Sequence, residues 1–111
     1  MKRTVVITGA NRGIGLELAR QLSPDDDVVA LVRTASADLQ ATGVDVIDGV
    51  DVRSDDLSQL AGRIGRPHVD ILINNAGVLR RTDFEDLDLE AIRLQFEVNT
   101  LGPMKVTHAL R

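Results

Sequence analysis

The sequence contains no cysteine, no tryptophan and no tyrosine, and its only aromatic residues are Phe84 and Phe96. The absence of cysteine excludes disulfide bonds and thiolate metal sites, and it is typical of a cytoplasmic protein, which is the location we predict. His68 and His108 have no partner at ligand spacing, so we predict no metal site. The absence of tyrosine excludes any mechanism that takes a phenol from these 111 residues.

Long apolar runs and an excess of positive charge are also missing. No run is long enough to span a bilayer, and no basic segment leads into an apolar one at the N-terminus, so we expect neither a membrane span nor a leader. The net charge of −4 disfavours nucleic acid and anionic membranes as partners. A content of 43% hydrophobic and 27% charged residues is typical of a soluble globular protein, and we expect a single domain over residues 1–111.

The most informative stretch runs from Thr4 to Gly15, where an apolar strand leads through a turn into a helix. Its glycines are Gly9, Gly13 and Gly15, a Gly-x-x-x-Gly-x-Gly spacing that differs from the Gly-x-Gly-x-x-Gly fingerprint and from the Walker P-loop. Glycines let the backbone approach phosphates, and a helix N-terminus offers unpaired N–H groups to an anion. We favour a nucleotide-binding turn; an ordinary strand-to-helix turn is the alternative.

Apolar runs and helical patterns alternate along the rest of the chain. A second continuous apolar run, which predicts a strand buried on both faces, lies at 28–32. A third strand is predicted at 44–50 and a fourth, apolar one at 69–73. Helices are predicted over 13–22, within 36–42, over 54–64 and from 88 towards the C-terminus. This alternation predicts an α/β fold with a parallel sheet and right-handed crossovers. The acidic residues Asp45 and Asp48 place the third strand at or near a sheet edge.

The caps and buried faces of the last two helices are predicted from spacing. Ser54 is the predicted N-cap of the first of them, and its buried stripe is Leu57, Leu60, Ala61 and Ile64. Asp88 is the predicted cap of the second, and its inward face is Leu89, Ile92 and Phe96. Gly102 and Pro103 are expected to interrupt or kink this last helix.

Four short motifs fall in order along the chain. They are Thr8-Gly9-Ala10-Asn11-Arg12-Gly13-Ile14-Gly15, then Asp51-Val52 after the third strand, Asn74-Asn75-Ala76-Gly77 after the fourth, and Asn99 within Val98-Asn99-Thr100-Leu101-Gly102-Pro103. Together they resemble the short-chain dehydrogenase/reductase family across the whole chain. The sequences around Asn11-Arg12 and from Asn99 to Pro103 most resemble those of the C-factor and sniffer-like carbonyl reductases.

The resemblance implies part of a Rossmann-like doubly wound parallel sheet, with the strand order 3-2-1-4. It also implies a set of cofactor-binding residues, to which Asn11 and Arg12 belong. The three turn glycines would admit the pyrophosphate near the Ile14 N–H, and Asp51 and Val52 would bind and frame the adenine. Asn75, Ala76 and Gly77 would line the adenosine ribose; alternatively, the amides of Asn74 and Asn75 tie the fourth strand to neighbouring backbone.

The preferred cofactor can be argued from one position. Sites that prefer NAD carry an acid about 20 residues beyond the glycines, which binds the ribose 2′-hydroxyl. Here Val32 and Arg33 stand in that place, and no acid does. Arg33 and Arg12 are able to pair with a 2′-phosphate, although two solvated surface arginines are the alternative. We therefore predict NADP rather than NAD.

Asn99 matches the catalytic asparagine of the family, which acts with a serine, a tyrosine and a lysine. In such enzymes the tyrosine donates a proton to the carbonyl oxygen while the nicotinamide delivers hydride. The family's Tyr-x-x-x-Lys segment has no match here, so the chain resembles the cofactor-binding part of an oxidoreductase acting on a carbonyl or alcohol, truncated before that segment. We expect it to bind cofactor without turnover. The alternative is a non-catalytic nucleotide-binding or signalling module derived from the family.

The predicted sheet leaves an apolar edge. With the order 3-2-1-4, the strand at 69–73 has one neighbour, and its other edge offers unpaired N–H and C=O groups to a second chain. The last helix is also expected to show an apolar face that full-length relatives use for subunit contact. We therefore predict self-association.

Overall fold

The computed structural model describes residues 2–111 as alternating strands and helices. The strands are β1 (Thr4–Thr8), β2 (Asp27–Leu31), β3 (Asp45–Ile47) and β4 (Ile71–Ile73). The helices are α1 (Gly13–Leu22), α2 (Ala37–Ala41), α3 (Leu60–Ile64), α4 (Leu89–Phe96) and α5 (Gly102–Leu110), with a π-helix (Glu97–Leu101) joining the last two. All strand pairs are parallel and the order is β3-β2-β1-β4, which confirms the predicted topology.

The sheet is buried on both faces at its centre. Val5 and Ile7 of β1 face one core cluster and Val6 faces the other, and all three are fully buried. Helices α1 and α2 cover the first face, and α3 and α5 cover the second. The continuous apolar runs of β1 and β2 follow from this, because both alternating sets of side chains enter a core.

The edge strands are shorter than the apolar runs that predicted them. β3 occupies Asp45–Ile47 within the predicted 44–50, because Gly49 turns the chain with a φ of +68°. Backbone pairing nevertheless continues beyond this turn, where the Val50 N–H donates to the Val32 carbonyl at 2.9 Å. The third strand lies at the sheet edge, as Asp45 and Asp48 indicated.

The predicted helix from Ser54 to Ile64 is wrong over its first half. Ser54 is not a helix cap: its hydroxyl accepts from the Asp56 N–H at 3.2 Å and donates to the Asp56 carbonyl at 3.0 Å. The Asp56 carboxylate accepts in turn from the Ser58 N–H at 3.0 Å. These local bonds offer the backbone partners that compete with helix formation, so α3 begins only at Leu60.

The last helix is continuous where an interruption was expected. Gly102 is helical and Pro103 lies in the first turn of α5, so neither breaks the helix. The departure from α geometry comes just before them, where the Gly102 N–H donates to the Glu97 carbonyl in π spacing. Proline lacks an N–H, so the Asn99 carbonyl, four residues earlier, cannot receive the usual α-helical bond from Pro103.

The predicted inward face of α4 is wrong. Leu89, Ile92 and Phe96 are 51%, 40% and 53% exposed, whereas Ala91 and Val98 face inwards. The sheet ends at β4, and the apolar face of α4 stays about half exposed. Periodicity located an apolar face correctly but did not indicate which face the sheet would cover.

Arg66 clamps the amino ends of β2 and β3. Its guanidinium donates to both carboxylate oxygens of Asp27 at 3.0 and 2.9 Å and to Asp45 at 2.6 Å. Its Nη1 also donates to the Ile64 carbonyl at 2.9 Å. These bonds raise the pKa of Arg66 and hold the pKa of Asp27 below its usual range.

We expect Arg66→Met to lower the free energy of unfolding by about 1 kcal/mol in urea denaturation at neutral pH, because two partly exposed carboxylates lose their partner. The effect should shrink as the pH falls below about 4, since the stability from a lowered aspartate pKa is lost on protonation. Arg20→Met, which breaks only an exposed 3.5 Å pair with Glu17, is the control and should cost less than about 0.5 kcal/mol. Equal effects of the two substitutions would contradict the clamp.

Candidate functional site

The loops after β1 and β4 interlock at the carboxyl edge of the sheet. The buried Thr8 hydroxyl accepts from the N–H groups of Asn75 at 3.1 Å and Ala76 at 3.0 Å. The Asn75 amide nitrogen donates to the Gly9 carbonyl at 3.0 Å. Thr8 was not among the predicted site residues, although its position directly before the first glycine of the turn is visible in the sequence.

Two of the three turn glycines are required by this close approach. A Cβ on Gly9, whose φ is +68°, would lie 2.7 Å from the Ala76 Cα. A Cβ on Gly15 would collide with the Asn75 amide nitrogen and lie 2.5 Å from the Gly9 carbonyl oxygen. Gly9 and Gly15 therefore admit the loop after β4.

Gly13 differs from the other two glycines. Its φ of +59° favours glycine, yet a Cβ built there would have no heavy atom within 4 Å. It begins α1, whose N-cap residue Arg12 provides no side-chain cap and whose first turn has no acid. Ile14 beside it is 75% exposed. The positive end of a ten-residue helix thus faces open space, where an anion is favoured.

Asn11 joins the glycine turn to the loop after β2. Its amide nitrogen donates to the Thr34 carbonyl at 2.7 Å, and its amide oxygen accepts from the Ser36 N–H at 2.8 Å. The Ser36 hydroxyl returns a bond of 2.8 Å to the Asn11 carbonyl. Asn11 thereby holds the loop with Arg33 beside the turn with Arg12, and both arginines are exposed.

Asp51 lies in the loop after β3 and is paired with a residue that sequence reasoning did not identify. Arg53 Nε lies 3.1 Å from Asp51 Oδ1, its Nη2 lies 2.9 Å from Oδ2, and its N–H donates to Oδ1 at 2.9 Å. These bonds hold the pKa of Asp51 below its usual range, and the charge of Arg33 adds to the effect. The carboxylate remains partly exposed. Val52 packs against the helix at Gly102.

Asn99 lies within the π-helix and reaches the loop after β4. Its amide oxygen accepts from the Val78 N–H at 2.8 Å, and its amide nitrogen donates to the Val78 carbonyl at 2.7 Å. A Cβ on Gly77 would lie 3.2 Å from the same amide oxygen. The side chain of Asn99 is therefore bonded to the backbone of Val78 through both of its amide atoms.

The predicted residues fall on the loops that follow β1, β2, β3 and β4, on the first turn of α1 and on the π-helix. A crevice at the carboxyl edge of an open parallel sheet is the place where such folds bind ligands. Among residues 2–111, no group of histidines and carboxylates could hold a metal ion. In the same part of the chain, no helix is both long enough and apolar enough to cross a membrane.

A protein-family model described as short chain dehydrogenase matches residues 3–111. The chain belongs to the short-chain dehydrogenase family. The match confirms the resemblance inferred from the four motifs, and the parallel sheet is the Rossmann-like sheet of this family.

This short-chain dehydrogenase chain is similar to several known members. It is 39% identical over 112 residues to 1-hydroxy-2-glutathionyl-2-methyl-3-butene dehydrogenase of Rhodococcus sp., covering 97% of this chain and 50% of that protein. An alcohol dehydrogenase of Thermococcus sibiricus, solved with 5-hydroxy-NADP, is 29% identical with a TM-score of 0.82, covering 99% and 52%. A gluconate 5-dehydrogenase of Burkholderia cenocepacia, solved with NADP and tartrate, is 29% identical with a TM-score of 0.82, covering 99% and 48%. The chain spans about half the length of the curated relatives it matches, or less.

We expect Gly15→Ala to lower the free energy of unfolding by about 2 kcal/mol or more, because the new methyl group displaces Asn75 and breaks its bond to Gly9. The matched control is Gly62→Ala, since Gly62 lies in α3 with no heavy atom within 4 Å of a built Cβ. An alanine in that helix should stabilise the chain by about 0.5 kcal/mol. Denaturant titration of both variants measures the difference, and a harmless Gly15→Ala would contradict the interlocked loops.

Proposed function

We propose that this chain is the dinucleotide-binding part of an NADP-dependent short-chain dehydrogenase that interconverts a carbonyl and an alcohol. The observation that carries the proposal is the open end of α1. Gly13 adopts a positive φ where a built Cβ meets no heavy atom within 4 Å, and the first turn of α1 has neither a side-chain cap nor an acid. A pyrophosphate supplies the negative charge and acceptors that this helix end lacks.

Each loop at the sheet edge has a proposed part in holding the dinucleotide. Gly13 and the Ile14 N–H would bind the pyrophosphate, while Gly9, Gly15 and Asn75 shape the turn by contacting one another. The remaining proposed contacts are Arg12 and Arg33 to a 2′-phosphate, Asp51 and Val52 to the adenine, and Ala76 and Gly77 to the ribose. The two arginines carry the preference for NADP, since both are exposed and Asn11 holds their loops together.

The chain's own residues have a limited share in the proposed reaction. The bound nicotinamide supplies hydride to the substrate carbonyl carbon. Asn99 secures the loop after β4 through Val78, and Pro103 has no N–H to donate to its main-chain carbonyl. We propose that this carbonyl belongs to a proton relay. Protonation of the carbonyl oxygen requires an acid such as the family's tyrosine, from outside residues 1–111.

The second candidate is a non-catalytic nucleotide-binding or signalling module. Residues 1–111 contain the cofactor-binding motifs and no tyrosine, a composition that this candidate shares with the first. The two candidates differ in whether the protein turns over a substrate. Steady oxidation of NADPH by the chain with a carbonyl substrate would exclude it.

Titration with NADPH and NADH, followed by nicotinamide fluorescence, tests the cofactor. We expect saturable binding that favours NADPH, and we expect Arg33→Ala to weaken NADPH binding about tenfold while changing NADH binding by less than about twofold. Arg93→Ala, on the exposed side of α4, is the control and should change neither. Preference for NADH, or an equal loss for both cofactors, would contradict the role of Arg33.

Self-association is the third part of the proposal. The outer edge of β4 lacks a neighbour among residues 2–111, and the exposed Ile92 and Phe96 lie on the adjoining helix. We expect the mean mass in sedimentation equilibrium to rise with concentration, and Ile92→Glu with Phe96→Glu to suppress that rise, because charge opposes burial of the face. Arg93→Gln is the control on the same helix. A monomer at every concentration would contradict this expectation.

A further inference from the structure

Lys105 binds the loop that carries the proposed adenine contacts. We call residues 51–56 the adenine loop. Lys105 Nζ donates to the Arg53 carbonyl oxygen at 2.9 Å and to Asp55 Oδ1 at 2.8 Å, and it lies 3.5 Å from Glu97 Oε2. Two of the ammonium group's three donors therefore have oxygen acceptors, and Glu97 adds an ion pair. The Lys105 side chain is 22% exposed, so it is partly shielded from water, whereas Asp55 is 97% exposed.

The adenine loop touches the same helix at a second point. A Cβ on Gly102 would lie 3.0 Å from Val52 Cγ2 and 3.3 Å from Val52 Cβ, so glycine lets the loop come this close without a shift of Val52. Gly102 and Lys105 are three residues apart in α5, a spacing that places them on one helix face. One apolar and one charged contact therefore fix the same loop to the same face.

Lys105 is linked through Arg53 to Asp51, the carboxylate proposed to bind the adenine. The residue whose carbonyl it holds is Arg53, and the Arg53 guanidinium is the bidentate partner of Asp51. Glu97, which also lies near the ammonium, belongs to the π-helix that carries Asn99. Lys105 thus joins the adenine loop to the π-helix that carries Asn99.

We propose that Lys105 is a positioning residue for the adenine end of the dinucleotide. It holds the adenine loop against α5 before the ligand arrives, so that Asp51 and Val52 need little further ordering on binding. This inference rests on the proposed dinucleotide site. Without the ammonium group, only the Val52–Gly102 contact holds the adenine loop. Binding of the dinucleotide must then also provide the conformational entropy lost when this loop is ordered.

Lys105→Met tests the inference by calorimetric titration of two fragments of the dinucleotide. We expect binding of ADP, which contains the adenine, to weaken about tenfold, and binding of reduced nicotinamide mononucleotide to change by less than about twofold. Lys105→Arg retains a cationic donor and should recover most of the ADP affinity. Arg93→Met on α4 is the matched control and should bind both fragments as the unaltered chain does.

Hydrogen exchange of the free chain supplies a readout that needs no ligand. In Lys105→Met, the amides of residues 51–56 should exchange faster while those of β1 and β2 do not. Unchanged exchange, unchanged ADP binding, or an equal loss for both fragments with a lower Tm would each overturn the positioning role. Failure of the unaltered chain to bind either NADPH or ADP would overturn the proposed function and this inference with it; normal binding unaffected by Lys105→Met would overturn this inference alone.

Discussion

The crevice depends on the close approach of two loops that lie far apart in sequence. Asn75 donates its amide to the Gly9 carbonyl, and Thr8 accepts the N–H groups of Asn75 and Ala76. Buried backbone groups must be paired, and here the side chain of each loop satisfies the backbone of the other. Glycine at position 15 leaves room for this exchange. The N-terminus of α1 keeps its position because these bonds to the loop after β4 fix the turn that precedes it.

Much of the fold could be predicted because the physics behind it is local. Continuous apolar runs indicated β1 and β2, since a central parallel strand is buried on both faces whatever packs against it. Asp45 indicated an edge, because a charged side chain is excluded from the sheet centre. The glycine turn was recognisable because positive φ and close approach both favour glycine. Spacing did not show, however, that Gly9 admits a loop while Gly13 borders open space.

The features that could not be predicted depend on distant partners. The apolar side chains of α4 repeat at helical spacing, but only the segments packed around the helix decide that Ala91 is buried and Phe96 exposed. Ser54 has the composition of a cap, yet its neighbour Asp56 offers competing local bonds. Lys105 carries no sequence signal, because its oxygen partner on Arg53 lies 52 residues away.

The parallel order of the sheet also has a consequence for how the chain matures on the ribosome. The Thr8–Ala76 bond spans 68 residues and the Asn75–Gly9 bond spans 66, and β1 leaves the ribosome well before β4. β1, β2 and their helices are able to assemble as soon as they emerge, and Asn11 then ties the glycine turn to the loop after β2. Contacts of longer separation form later, because loop-closure entropy opposes them. The turn of the nascent chain is therefore held on one side only, until β4 and its loop leave the exit tunnel.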